Sequence, residues 1–344
     1  MAEDVGAQPL LAVFAGYTLN GQHVSEDAYD AEIQSALQEI EYAIGDTSTT
    51  WGARRAADGH PAPFDVHYVE IGNEDWFDGS GSYAWRFTRM YEAIRARYPQ
   101  LKVISTTGGY QGGAATSTSY GTARPDVFDD HYYQPPSWFV DASTRYDTAD
   151  RSRPQVLIGE YGAQNGSPTP TLRAAVGEAA FLTGLERNSD IVIGSIYAPI
   201  VVNENASNWP TNMIGIDAGA SYGSPSYWVQ YLFANNLGDT TVLSTPGGAG
   251  TIKQVVTTAH SGGVTTFYVK LVNPTGMQQS VRIAYRGVGR VDPTGTLTLL
   301  TGDPSTRNTL ADPNAIIPQT RGVSPTSRIV LPPSSVAVLR VTGR

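Results

Sequence analysis

Six short apolar runs, interleaved with helix-patterned stretches, fill the first 237 or so residues and limit the folds open to this chain. The runs are Leu10 to Phe14, Val66 to Ile71, Leu101 to Ser105, Val127 to His131, Gln155 to Gly159 and Ile191 to Tyr197. They are mostly continuous rather than alternating, which is the pattern of strands covered on both faces. Between them lie helical patterns. Ser25 with Glu26 and Asp27 opens one, Ile33, Leu37, Ile40 and Ile44 continue it, and Gly45 can end it. Tyr83, Phe87, Tyr91 and Ile94 line a second, closed by Arg95 and Arg97. Leu172, Val176, Ala179 and Leu182 mark a third, and Ser224-Pro225 opens a fourth carrying Tyr227, Trp228, Tyr231 and Leu232. Strand–helix repetition of this kind predicts a parallel α/β architecture. A closed β/α barrel needs eight units, and only six are legible, so the expected barrel is incomplete.

The pattern changes near residue 240. Pro246 to Gly250 reads as a linker or turn. β-rich stretches follow: Ile252 to Thr258, Val264 to Val272, Ser280 to Tyr285, Thr296 to Leu300, Ser327 to Leu331 and Ser335 to Val341. Ser261-Gly262-Gly263 is placed to turn the first two into a hairpin. The expected organisation is a partial β/α barrel over 1–239 and a C-terminal all-β sandwich over 240–344.

Composition narrows the function. The net charge of −9 and the lack of a long basic run argue against a nucleic-acid partner. No apolar run is long enough to cross a bilayer, so no membrane role is expected. There are no cysteines, and the five histidines show no H-x-x-x-H spacing, so neither thiolate chemistry nor a zinc site is called for and no cofactor is expected. The start, MAEDVGAQPL, has no basic stretch leading into an apolar one, so it does not read as a secretory signal.

Two of the apolar runs lead into a glutamate. One reads Val66-His-Tyr-Val-Glu-Ile-Gly-Asn-Glu74, the other Gln155-Val-Leu-Ile-Gly-Glu160-Tyr-Gly. In parallel α/β proteins the carboxyl ends of the strands form the functional face. A carboxylate pair there suits glycosidic cleavage, in which one group protonates the leaving oxygen and the other works ionised. Either glutamate alone could equally be a helix cap or a solvated loop residue. Glu70, inside its strand, reads as structural. His131 and Tyr133 end another strand and could hold a sugar hydroxyl or orient a carboxylate, or form an aromatic cluster. Trp209, after the sixth strand, could stack on a sugar ring or cover the core. Gly108 to Gly113 is glycine-rich but lacks the spacing of a nucleotide loop.

These residues resemble a known family. Leu11-Ala-Val-Phe-Ala-Gly-Tyr17, Glu41-Tyr-Ala-Ile-Gly45, Trp51-Gly52, Tyr68-Val-Glu-Ile-Gly-Asn-Glu-Asp75, Asp130-His-Tyr-Tyr133, Ile158-Gly-Glu-Tyr-Gly162 and Asn212-Met-Ile-Gly-Ile216 look like glycoside hydrolase family 51, the α-L-arabinofuranosidases. The tail, Asp303 to Pro318 and Leu331 to Leu339, resembles the family's closing strands. The resemblance implies a β/α barrel followed by a β-sandwich, and retaining release of terminal non-reducing α-L-arabinofuranosyl residues from arabinan and arabinoxylan. It makes Glu74 the acid/base and Glu160 the nucleophile. It makes Asn73 a contact of the sugar 2-hydroxyl, His131 and Tyr133 active-site residues, and Trp209 a subsite residue. Full members carry two further barrel strands upstream of Leu10, together with a sugar-binding Glu, Arg and Asn that have no counterpart here. The chain therefore resembles a partial member. An arabinose-containing oligo- or polysaccharide is the implied partner, a homo-oligomer is compatible, and an extracellular setting suits such a substrate. A β-xylosidase or endoglucanase on the same scaffold, and a non-catalytic carbohydrate-binding remnant, are the alternatives.

Overall fold

The computed structural model describes residues 2–106, 120–245, 247 and 250–344. The glycine-rich Gly108 to Gly113 and most of the turn at Pro246 to Gly250 lie outside the described residues. Cα packing divides the chain into two units, Met1–Asp130 with Arg151–Leu157, and His131–Asp150 with Ile158–Arg344.

The six predicted runs form β1 (Leu10–Val13), β2 (Tyr68–Ile71), β3 (Lys102–Ser105), β4 (Val127–Gln134), β5 (Gln155–Ala163) and β6 (Val192–Tyr197). They make one parallel sheet in chain order, an incomplete (β/α) barrel as expected. The register pairs Val13 with Ile71, and Ile71 with Ser105. Chain order and parallel direction follow from the connections, because each crossover must carry the chain back along the sheet.

In the first unit the crossovers are α1 (Tyr29–Ile44), α2 (Thr50–Ala57) and α3 (Tyr83–Arg97). Ile33, Leu37 and Ile40 face inward from α1, and Tyr83, Phe87, Met90 and Ile94 from α3. They close a core over Val13, Val69, Ile71 and Val103. Ser25 precedes a 3-10 turn, Glu26–Ala28, rather than the α-helix itself, and its side chain makes no cap. The helix α2 was not legible: its eight residues carry two arginines and little apolar periodicity. Thr49 caps it by accepting from Gly52 N at 3.1 Å, and buried Arg55 ties it to the carbonyls of Tyr42 and His60.

In the second unit α4 (Pro136–Asp141) and α5 (Leu172–Arg187) pack beside one another. Every residue from Leu172 to Leu185 except Arg173 is buried on α5, so this helix is enclosed on all sides. A small sheet of β7 (Val201–Asn203), β8 (Ile214–Ile216) and β9 (Ser221–Gly223) follows. Then comes α6 (Pro225–Ala234), started as predicted by Ser224, which accepts from Tyr227 N, and by Pro225 at the first position.

The β-rich C-terminal part carries β10 (Thr240–Val242), β11 (Lys253–Ser261), β12 (Val264–Asn273), β13 (Gln279–Val281), β14 (Gly295–Leu300), β15 (Gln319–Val323), β16 (Ile329–Leu331) and β17 (Ser335–Gly343). One sheet runs β10-β11-β12-β17-β14-β15, and β13 pairs with β16 in the other. Gly262 and Gly263, both at positive φ, turn β11 into β12 with Ser261 opposite Val264, the two-residue hairpin expected there. Val269, Leu271, Leu297, Leu331 and Leu339 form the core between the sheets. Buried Lys270 of β12 pairs with Glu186 of α5.

Candidate active site

In the first unit Glu74 sits just past the carboxyl end of β2. The strand ladder runs on through Gly72, whose N–H donates to Val13 O at 2.9 Å. Gly72 has φ +93°, and a Cβ there would lie 2.0 Å from Asp75 Oδ2, so no other residue fits. Glu74 itself is left-handed, at φ 53° and ψ 31°. That conformation costs a non-glycine residue about 1 kcal/mol. It is held by what surrounds it. Asp75 Oδ2 accepts from Asn73 N at 3.0 Å, and Asp75 Oδ1 accepts from Arg86 at 2.8 Å. Arg86, fully buried on α3, also bonds the Ala15 carbonyl, Ser82 Oγ and Asp78. Burial raises the Asp75 pKa, and the Arg86 guanidinium beside it partly offsets the rise. A buried ion-pair cluster thus fixes the turn that presents Asn73, which is exposed, and Glu74, which is half-buried.

In the second unit β4 and β5 bring three predicted residues together. Tyr133 Oη donates to Glu160 Oε2 at 2.6 Å, and His131 Nδ1 lies 3.5 Å from the same oxygen. Both side chains project from β4 in the period-two sense, with buried Tyr132 pointing the other way. The Glu160 side chain is about one-third exposed, whereas the His131 ring is almost closed off. Trp209 stands edge-on to Tyr133, ring centroids 5.3 Å apart, and remains 41% exposed. A carboxylate with a fixed orientation and an accessible indole beside it are the parts a sugar site needs.

The sequence placed Glu160 after its strand, but β5 runs on to Ala163, so the glutamate is inside it. Glu70 is buried in β2, in keeping with a structural reading. Three groups were not foreseen. Asp75 and Arg86 had no signal beyond their charge, because their pairing is tertiary. Glu178, on α5, looks like a solvent-facing helix residue in sequence yet is fully buried.

Comparison with known proteins covers almost the whole chain. A family model described as alpha-L-arabinofuranosidase 1 domain matches residues 1–151, and one described as alpha-L-arabinofuranosidase C-terminal domain matches residues 150–335. Alpha-L-arabinofuranosidase 2 of Arabidopsis thaliana is 33% identical over 97% of this chain and 49% of its own length. Alpha-L-arabinofuranosidase A of Aspergillus niger is 36% identical over 98% of this chain and 53% of its own. The chain thus spans about half the length of these relatives. Among solved structures, an arabinose-bound GH51 α-L-arabinofuranosidase superposes with a TM-score of 0.91 at 36% identity, covering all of this chain and 56% of that one. The Thermotoga maritima α-L-arabinofuranosidase, at 18% identity and a TM-score of 0.77, shares the fold.

The parallel β/α sheet and the β-rich C-terminal part define the class as an incomplete (β/α) barrel followed by a β-rich domain. The chain belongs to glycoside hydrolase family 51, the α-L-arabinofuranosidases.

Proposed function

We propose that this chain carries the catalytic residues of a retaining exo-acting α-L-arabinofuranosidase, with Glu160 as nucleophile and Glu74 as acid/base. The observation that carries this reading is the 2.6 Å hydrogen bond from Tyr133 to Glu160, which sets the carboxylate in one orientation within β5. Family membership and the arabinose named in the structural relative supply the sugar.

In the first step a Glu160 oxygen attacks the anomeric carbon and forms a glycosyl ester. Glu74 gives its proton to the departing glycosidic oxygen. In the second step Glu74 takes a proton from water, whose oxygen displaces Glu160 and releases arabinose with its configuration retained. Asn73, His131 and Tyr133 hold the sugar and the carboxylate, and Trp209 offers a stacking face. The substrate class is terminal non-reducing α-L-arabinofuranosyl on arabinan or arabinoxylan. We also assign 1–239 to the partial barrel and 240–344 to the sandwich. The return to antiparallel pairing at β10, where Thr240 opposes Thr258, supports that boundary.

The test is hydrolysis of 4-nitrophenyl α-L-arabinofuranoside, with the anomer of the first-formed product read by NMR. Release of the α-product supports the reading. An inverted product, or full activity in Glu160→Gln, would remove Glu160 from the role. The six-stranded sheet, two short of a closed barrel, favours a second reading in which the chain binds arabino-oligosaccharides without turnover. Calorimetric binding with no hydrolysis would select it.

A further inference from the structure

Beneath the Glu160 face of the second unit lies a fully buried carboxyl group that the proposed mechanism does not use. Glu178 sits midway along α5, the helix enclosed on all sides. Its Oε1 accepts from Ala163 N at 2.9 Å. Ala163 is the last residue of β5, three positions beyond Glu160. The hydroxyls of Ser226 on α6 and Tyr197 at the end of β6 adjoin the same carboxyl group and partly offset the rise that burial gives its pKa, which is pushed up to about 7. Among the described residues, Glu178 Oε2, Tyr197 Oη and Ser226 Oγ are buried and have no hydrogen-bond partner.

Tyr197 reaches further. Its ring packs edge-on against Tyr161, centroids 5.6 Å apart. A Cβ on Gly162 would lie 3.4 Å from the Tyr197 hydroxyl, so this part of β5 is in tight contact with it. Ala198 N donates to Tyr161 O at 3.1 Å, which pins β6 to β5 at the same level. Tyr197 thus stands between Glu178 and the stretch of β5 just beyond Glu160. A leucine at 178 would fill similar volume without the desolvation cost of a carboxyl group. Packing alone therefore does not explain an acid there.

We propose that Glu178 is a positioning residue: its carboxyl group, with Tyr197 packed against Tyr161 and Gly162, clamps the end of the strand that carries Glu160. This rests on the arabinofuranosidase reading above. A nucleophile displaced by a fraction of an ångström loses rate without losing substrate affinity.

The experiment measures kcat, KM and the burst of 4-nitrophenol from 4-nitrophenyl α-L-arabinofuranoside for the wild-type chain, Glu178→Gln, Glu178→Leu and Tyr197→Phe. Glu178→Gln keeps an oxygen for Ala163 N and should hold kcat within about twofold. Glu178→Leu should lower kcat and the burst rate about 10- to 100-fold with KM nearly unchanged. Tyr197→Phe should lower them by a smaller factor in the same sense, and it decides the matter if the leucine variant does not fold. Unchanged kcat in Tyr197→Phe and in a folded Glu178→Leu, or a loss in Glu178→Gln as large as in Glu178→Leu, overturns the role of Glu178 alone. A folded wild type that releases no nitrophenol overturns the glycosidase reading, and this one with it.

Discussion

At the scale of single residues, the Tyr133–Glu160 contact leads to a quantitative expectation. A hydrogen bond to a charged acceptor contributes about 1.5–3 kcal/mol, so Tyr133→Phe is expected to lower kcat/KM about 10- to 100-fold while leaving the fold intact, measured on an aryl arabinofuranoside. Glu74→Gln should cost about 10²- to 10⁴-fold on substrates with poor leaving groups. The loss should be smaller with a nitrophenyl leaving group, which departs without a proton. Added azide should then restore turnover by attacking the glycosyl ester without a general base, giving an α-configured azide product, since azide enters opposite the β-linked ester. If azide fails to rescue, Glu74 is not the acid/base. Both glutamates were legible because each follows a continuous apolar run and a glycine. Asp75 and Arg86 were not, because nothing along the chain marks a surface-type arginine as fully buried. Only the packing of α3 on β2 shows that Asp75 is its partner.

At the scale of elements, the same buried cluster makes the turn after β2 a point of weakness. Arg86 neutralises both Asp75 and Asp78, and its removal leaves two acids without their cation. Arg86→Met is expected to destabilise the chain by about 3–5 kcal/mol, seen as a lower urea midpoint. Helix α5 gives a pH signature. The Glu178 pKa rises from 4.5 to about 7 because burial penalises its charge. Between those values the folded chain holds a proton that the unfolded chain releases, so the favourable contribution is complete below about pH 4.5 and is lost as pH rises through about 7. The loss amounts to about 3 kcal/mol. Tyr161 and Tyr197, the other titratable groups against it, stay neutral throughout because burial raises their pKa values too. Wild type and Glu178→Gln should therefore differ in the slope of unfolding midpoint against pH between 5 and 8, the variant being flatter. Equal slopes would show that Glu178 titrates normally. The long elements α1, α3, α5 and α6 were readable from their apolar spacing. The short ones, α2, α4 and the sheet β7-β8-β9, were not. Three to eight residues carry too little periodicity, and neighbouring segments fix their conformation.

At the scale of the whole molecule, the count of six strands was readable in advance and has a physical consequence. A closed barrel has no edges, whereas this sheet ends on β1 and on β6, neither of which has a second strand partner among the described residues. An unpaired parallel edge presents a row of backbone donors and acceptors that another chain can satisfy. Along β6 the exposure is also apolar, since Ile196 is 43% accessible and Ile200 and Val201, just beyond the strand, are similarly open. Charge on an edge strand is the usual defence against such pairing, and β6, Val-Ile-Gly-Ser-Ile-Tyr, has none. The chain is therefore expected to self-associate with rising concentration, detected as a rising weight-average mass by light scattering behind size exclusion. Ile196→Lys should suppress that association, because a lysine ammonium at the edge cannot be desolvated between two strands without a partner. It should do so with little change in the monomer's unfolding midpoint, since Ile196 is already largely in solvent. A mass that stays monomeric over a hundredfold concentration range, or one that Ile196→Lys leaves unchanged, would show that the β6 edge is not what another copy of the chain pairs with.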